Sequence, residues 1–148
     1  MAGSNASAVK LALLGALKTA LAPVRIDHGY NGRLAEREYA YFGHTTSPKE
    51  PLAFRGGGRL PRMEEATLTL HLEVLYPNAT TEDTEARANE LGDLIEDTIA
   101  ADPTGSSLGV TGLLAVWVSN STCTSFYPSD GMAATEVVYT ITAQSNLG

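Results

Sequence analysis

Three histidines, one cysteine and a glycine run flanked by arginines are the residues of this chain whose types could do chemistry. A metal centre needs several ligands at short, defined spacings. His28, His44 and His71 stand far apart, with a single cysteine to help them, so they read as exposed or hydrogen-bonded histidines. Cys123 lies in Ser-Thr-Cys-Thr-Ser, which matches no nucleophile signature and reads as a partly buried thiol at a strand edge. No Gly-x-Ser-x-Gly occurs, so the hydroxyls from Ser119 to Ser125 read as a polar edge. Arg55-Gly-Gly-Gly-Arg59 lacks the Gly-Lys-Ser/Thr step that opens a helix under a phosphate; Pro61 and a strand follow instead. It reads as a flexible arm. The carboxylates from Glu82 to Asp97 fall on the polar side of an amphipathic helix, where nothing prepares one for acid–base work. Neither catalytic residues nor a metal or cofactor site is expected.

The elements that hold these residues follow from periodicity. Val9, Leu13, Leu17 and Leu21 recur every fourth residue beside Ala12, Ala16 and Ala20, and Pro23 stops the run. Lys18 interrupts its apolar stretch, so residues 6–22 read as a folded helix and not as a secretion signal. Two short extended pieces follow, Val24 to His28 and Arg37 to Phe42, separated by a turn at Gly29-Tyr-Asn-Gly32. Residues 43–62 carry Pro48, Pro51 and Pro61, the glycine triplet and Arg55, Arg59 and Arg62, with no period of either kind. They read as a long exposed loop or arm, and these three arginines are its candidate binding residues.

From Ala66 to Tyr76 apolar and polar residues alternate, as they do in a strand with one wet face. Asn78 or Thr80 can cap a second helix, whose stripe is Ala88, Leu91, Leu94, Ile95, Thr98 and Ile99. Leu113 to Ser119 reads as a strand with Leu114, Val116 and Val118 on one face and Leu113, Ala115 and Trp117 on the other. Ser119 to Ala134 reads as a polar connection, and Thr135 to Ala143 as the last strand. The expected fold is α+β: a largely antiparallel β-sheet, two α-helices packed on one face, and a long loop inserted between strands. Its 148 residues make one domain with no need of a disulfide or metal.

Charge is divided along the chain. Residues 1–62 hold nine of the ten Lys and Arg and four of the seventeen Asp and Glu, a sum of +5. Residues 63–148 hold Arg87 and thirteen acids, a sum of −12. No basic footprint for nucleic acid is present. Either the acids keep one face solvated, or the two halves complement one another between neighbouring molecules.

As a whole the chain resembles the tail terminator (tail completion) proteins of long-tailed bacteriophages. The likeness rests on Val24 to His28 after the first helix, the strand Ala66 to Tyr76, Glu85-Ala-Arg-Ala-Asn-Glu-Leu91 in the second helix, the turn Asp102 to Gly109, and Val137-Val-Tyr-Thr-Ile-Thr-Ala143. It implies a structural virion protein, not an enzyme. Such a protein forms a homo-oligomeric ring, a hexamer, that caps the tail tube, stops polymerisation and meets the head's neck connector, while DNA passes through unread. It implies residence in the virion at the tail neck after assembly in the host cytoplasm, with no membrane and no cofactor. Alternatives are a head-to-tail stopper or other neck protein, or a small-molecule or peptide-binding module. The charge division suggests that Arg55, Arg59 and Arg62 reach an acidic surface on a neighbouring subunit or on the tail tube.

Overall fold

The computed structural model describes residues 4–32, 36–51 and 62–148, and its elements follow the expected order with several extensions. Helix α1 spans Ala6–Leu21, β1 Arg25–Asp27, β2 Glu38–Thr46, β3 Lys49–Pro51 and β4 Arg62–Pro77. Helix α2 spans Thr81–Ala100, and a 3-10 turn at Ser106–Leu108 leads to β5 (Leu113–Ser129) and β6 (Met132–Asn146). The sheet order is β1-β2-β4-β6-β5, with β3 beside one end of β4. All pairings are antiparallel except β1 with β2. That parallel pair means Gly29–Gly32 belongs to a crossing connection and not to a hairpin turn.

β4 carries the fold. It pairs with β6 without a register shift from Met63↔Asn146 to Pro77↔Met132. Its residues Ala66, Leu68, Leu70, Leu72 and Val74 are buried against both helices, as the period of two requires. From α1 the stripe Val9, Leu13, Leu17 and Leu21 enters the same core, joined by Ala88, Leu91, Ile95 and Ile99 of α2. Leu94 does not join them; it is 44% exposed, because its place on the helix falls outside the buried arc. At the start of α2 the Thr80 side chain and Asp83 form a reciprocal capping box, which settles the choice between Asn78 and Thr80.

Three further expectations are corrected. Residues 119–134 are not a connection: they complete a hairpin in which β5 and β6 turn at Asp130-Gly131. Alternating small hydroxyl residues with no large aliphatics disguise that strand. The loop does not begin at Gly43, since β2 continues to Thr46 through an irregularity after Phe42, and β3 pairs back onto β4. Leu113 shares the core-side face with Val116 and Val118, because a bulge at Leu114 inserts one residue and flips the parity. Leu114 is left exposed.

α2 lies close to the sheet at Gly92, which is buried above Tyr139. A Cβ at that position would stand 2.1 Å from the Tyr139 hydroxyl. Burial pushes this phenol up to about 12, so it stays neutral and cannot retreat as a charged group. Alanine favours a helix over glycine by about 1 kcal/mol. Here Gly92→Ala should instead cost about 1–3 kcal/mol from overpacking, and most of that should return in the Gly92→Ala/Tyr139→Phe double variant. Urea unfolding decides; a stabilised Gly92→Ala single variant would refute this reading of the contact.

Candidate interaction surface

The chemically suggestive side chains are scattered over the sheet and its edges. His71 stacks flat on Tyr41, with centroids 4.7 Å apart, above Gly43, where a side chain would collide with the imidazole. His44 is exposed, and its carbonyl accepts the Thr69 hydroxyl at 2.9 Å. His28 is exposed beside β1. The three are not brought together, and among the described residues no cluster of His, Cys, Asp or Glu could hold a metal ion. Cys123 is exposed on β5, not partly buried.

Tyr39 was not singled out by the sequence. Its ring is buried on the sheet face away from the helices, packed by Tyr30 and Tyr41. Its hydroxyl donates to Asp27 at 2.8 Å and accepts the Asn31 amide at 3.1 Å. The segment after β1 is thereby folded over the sheet, and the aromatic run Tyr39 to Phe42 was its only trace in the sequence.

Arg87, the lone base of residues 63–148, points inward. Its guanidinium grips Glu38 of β2 through two bonds, Nε to Oε2 at 2.6 Å and Nη2 to Oε1 at 3.1 Å, and reaches Glu90 at 3.0 Å. The Tyr76 hydroxyl of β4 also donates to Glu38. Three elements meet in this clasp. Beside it lies an open cleft of about 830 Å³, whose rim carries both signs of charge in Arg25, Glu36, Arg37 and Asp83. With Arg87 turned inward, the outer surface of α2 exposes Glu82, Asp83, Glu85, Glu90, Asp93, Glu96 and Asp97.

Among the described residues the two helices lie over different parts of the sheet. α1, with Lys10 and Lys18, packs over β1 and β2, whereas α2 lies over β6 and β5. Arg25 is held by Asp27 at 2.8 Å and Glu36 at 2.9 Å. Of the candidate binding residues, Arg55 and Arg59 lie outside the described residues. Arg62 is the first residue of β4 and not part of a loop; it is half-buried, and its carbonyl accepts the Leu147 amide at 2.9 Å.

A second open feature is the outer edge of β5. Five strands at a spacing of about 4.8 Å make a sheet about 24 Å wide, and two helices side by side cover about 20 Å of it. α2 reaches the helix side of β5, and the strand's outer edge is left unpaired among the described residues. Trp117 and Phe126, each 37% exposed, stand on the helix-free face, opposite Thr142 and Ala134 of β6. Tyr127 is 60% exposed, and its hydroxyl accepts the Thr81 amide at the start of α2. No charged residue occurs anywhere in Leu113–Ser129. Exposed aromatics beside an uncharged edge strand are features common to surfaces that contact other protein. None of the described helices is long and apolar enough to cross a membrane.

Over nearly its full length the fold is similar to that of a chain in the virion of a native gene transfer agent particle. The TM-score is 0.50 and the sequence identity 17%, with 97% of this chain and 96% of that chain covered. No protein-family model matches the chain, and no curated protein matches it in sequence. At this identity the likeness is one of fold.

The clasp has a pH signature. The Arg87 hydrogen bonds hold the Glu38 carboxyl below the usual glutamate range, against the opposing effect of burial. A depressed folded value means stability that is complete above the unfolded value, about pH 4.3, and lost as pH falls through the lower folded one. The pair is partly solvated, so Arg87→Met should cost about 1 kcal/mol at neutral pH. Urea titrations at a series of pH values should show that cost shrinking below about pH 4. A cost that stays constant down to acid pH would mean that Arg87 acts through packing alone.

Proposed function

We propose that the chain is a structural virion protein of the tail terminator type. Six copies close a ring on the end of the tail tube, end its growth, and join the tail to the neck of the head. The observation that carries this reading is the fold likeness to a virion chain along the whole length of both molecules. The long, uncharged, partly uncovered β5 edge and the two-signed flanks support it, since both suit a chain that works among copies and neighbours. The partners are the tail tube protein and a neck connector. An acidic α2 flank facing the lumen would repel phosphates, so DNA would pass without adhering. Residence follows from that role: the tail neck of the virion, reached by assembly in the host cytoplasm.

Loss of the gene should leave heads and tails unjoined, with tails of irregular length in electron micrographs. Unjoined tails of normal length would support the stopper role instead. Rings on the ends of isolated tails, at sixfold symmetry, complete the expected picture.

The arginine segment belongs to the same proposal. Arg55, Arg59 and Arg62 contact an acidic surface on a neighbouring subunit or on the tube, each planar fork suited to a carboxylate. Exposed pairs contribute at most about 1 kcal/mol each, but a ring repeats them around its circumference. Changing all three to Ser should weaken attachment to tails at low salt, and the gap from the parent should narrow as salt rises. Equal attachment by parent and variant at every salt concentration would make the segment a passive linker.

A further inference from the structure

Along β5 the register on β6 shifts after Val118 and again after Phe126, and between those shifts Asn120–Phe126 pairs regularly with Thr140–Ala134. Among the described residues no strand pairs with the other side of this segment. Sheet edges in proteins are ordinarily guarded by charge, proline, bulges or shortness. The opposite edge of this sheet is guarded: β1 has three residues and carries the Arg25–Asp27 ion pair. Asn120–Phe126 has no charge, proline or bulge within it; its guards lie only at its ends.

We propose that Asn120–Phe126 pairs antiparallel with the same segment of a second copy of this chain across a two-fold axis, joining two sheets into one. A two-fold contact requires a patch complementary to itself. Ser121-Thr122-Cys123-Thr124-Ser125 reads identically in both directions. An antiparallel pair centred on Cys123 therefore sets Ser121 against Ser125 of the second copy and Thr122 against its Thr124. The two Cys123 residues face each other. Hydroxyl pairs of this kind favour antiparallel neighbours.

Electrostatics permits the approach. The chain carries −7 overall, but this edge is neutral. The acids beside it are Glu85, which accepts the Ser125 hydroxyl at 3.0 Å, and the exposed Glu136 opposite Thr124 on β6, whose two copies would lie three strand spacings apart, about 14 Å. In the proposed register the two Ser125 residues lie four positions apart, about 14 Å along the strands. That exceeds the Debye length of about 8 Å at physiological salt, so the two Glu85 carboxylates are largely screened from each other. A two-fold joint cannot propagate around a ring. The pairing is thus separate from the ring contacts, and it stands or falls without them.

The test uses the purified full-length chain. Light scattering should report a dimer, and Thr122→Lys/Thr124→Lys, which opposes like charges across the joint, should lose it with an unchanged melting temperature. A parent that stays monomeric at about 1 mM, the limit of a useful contact, overturns the proposal, as does a double variant that remains dimeric. A second measurement does not depend on how the lysine variant folds. A short bismaleimide should link the parent through Cys123, whereas Ser7→Cys/Cys123→Ser, with its thiol exposed on α1, should link only at the rate of random collision. Partial desolvation of this exposed thiol and the nearby Glu85 push Cys123 up, which slows it, so a higher yield at Cys123 does not reflect greater reactivity. Mixing Thr122→Cys/Cys123→Ser with Thr124→Cys/Cys123→Ser should give a linked heterodimer in greater yield than either alone. Equal yields in all of these arms would remove the proposed register.

Discussion

The constraint on which the rest of this structure depends is that one face of β4 is wholly buried along its middle. A strand with period two cannot slip by one residue without moving every core side chain into water, so Ala66 to Val74 fix the register of both neighbours at once. Moving that set of side chains would forfeit roughly 1.5–3 kcal/mol for each large one, far beyond any local preference of β2 or β6. The alternation then breaks at Glu64, a carboxylate with no exposure on the same buried face. It is not stranded. Its oxygens accept the Asn5 amide at 2.8 Å and the hydroxyls of Ser4 and Ser47. A negative group at the amino end of α1 suits the helix dipole and replaces the side-chain cap that Asn5 does not provide. The polar break in β4 is therefore where the first helix is docked onto the sheet.

A second tie works at the other end of β4. Glu38, Arg87 and Tyr76 link β2, α2 and β4, and they use the only base available after residue 62. Arg87 serves Glu38 and Glu90, which leaves the other exposed acids of α2 without a basic partner on their own half of the sequence. Within the described residues α1 lies over β1 and β2 toward one edge of the sheet, and the acidic α2 over β6 and β5 toward the other.

Legibility in the sequence followed how strongly each segment patterned its apolar residues. Both helices, β4 and the middle of β6 (Thr135 to Ala143) declared themselves through large apolar residues at fixed period. β5 beyond Val118 did not, because Ser119 to Ser125 offers hydroxyls on both faces, and an edge strand needs no buried face to be held. Its partner β6 supplies the order instead. Bulges were equally hidden: nothing in Leu113-Leu114-Ala115 distinguishes a shifted parity from a regular one until the register on β6 is known. Tyr39 was misleading in a different way, since the burial that holds it comes from Tyr30 and Asn31 folding over the sheet and not from its own alternation. Arg62 illustrates the reverse error. Grouped with Arg55 and Arg59 by composition, it is set apart from them by a strand position opposite Pro51.

An assembly protein has to reconcile an adhesive surface with solubility, and the placement of irregularities in β5 shows how this chain can do both. A long flat edge without charge would be an open template, able to accept strands without limit. Here the shifts after Val118 and after Phe126 bend the strand out of plane at both ends, and Pro128 removes a donor beyond the second. What remains free is a segment of about seven residues, the length over which extended segments typically pair, with acids of α2 standing to one side. Those acids repel copies that approach along α2, while the edge segment itself carries no charge. Bulges in β5 thus do not weaken the sheet so much as bound the contact it can make.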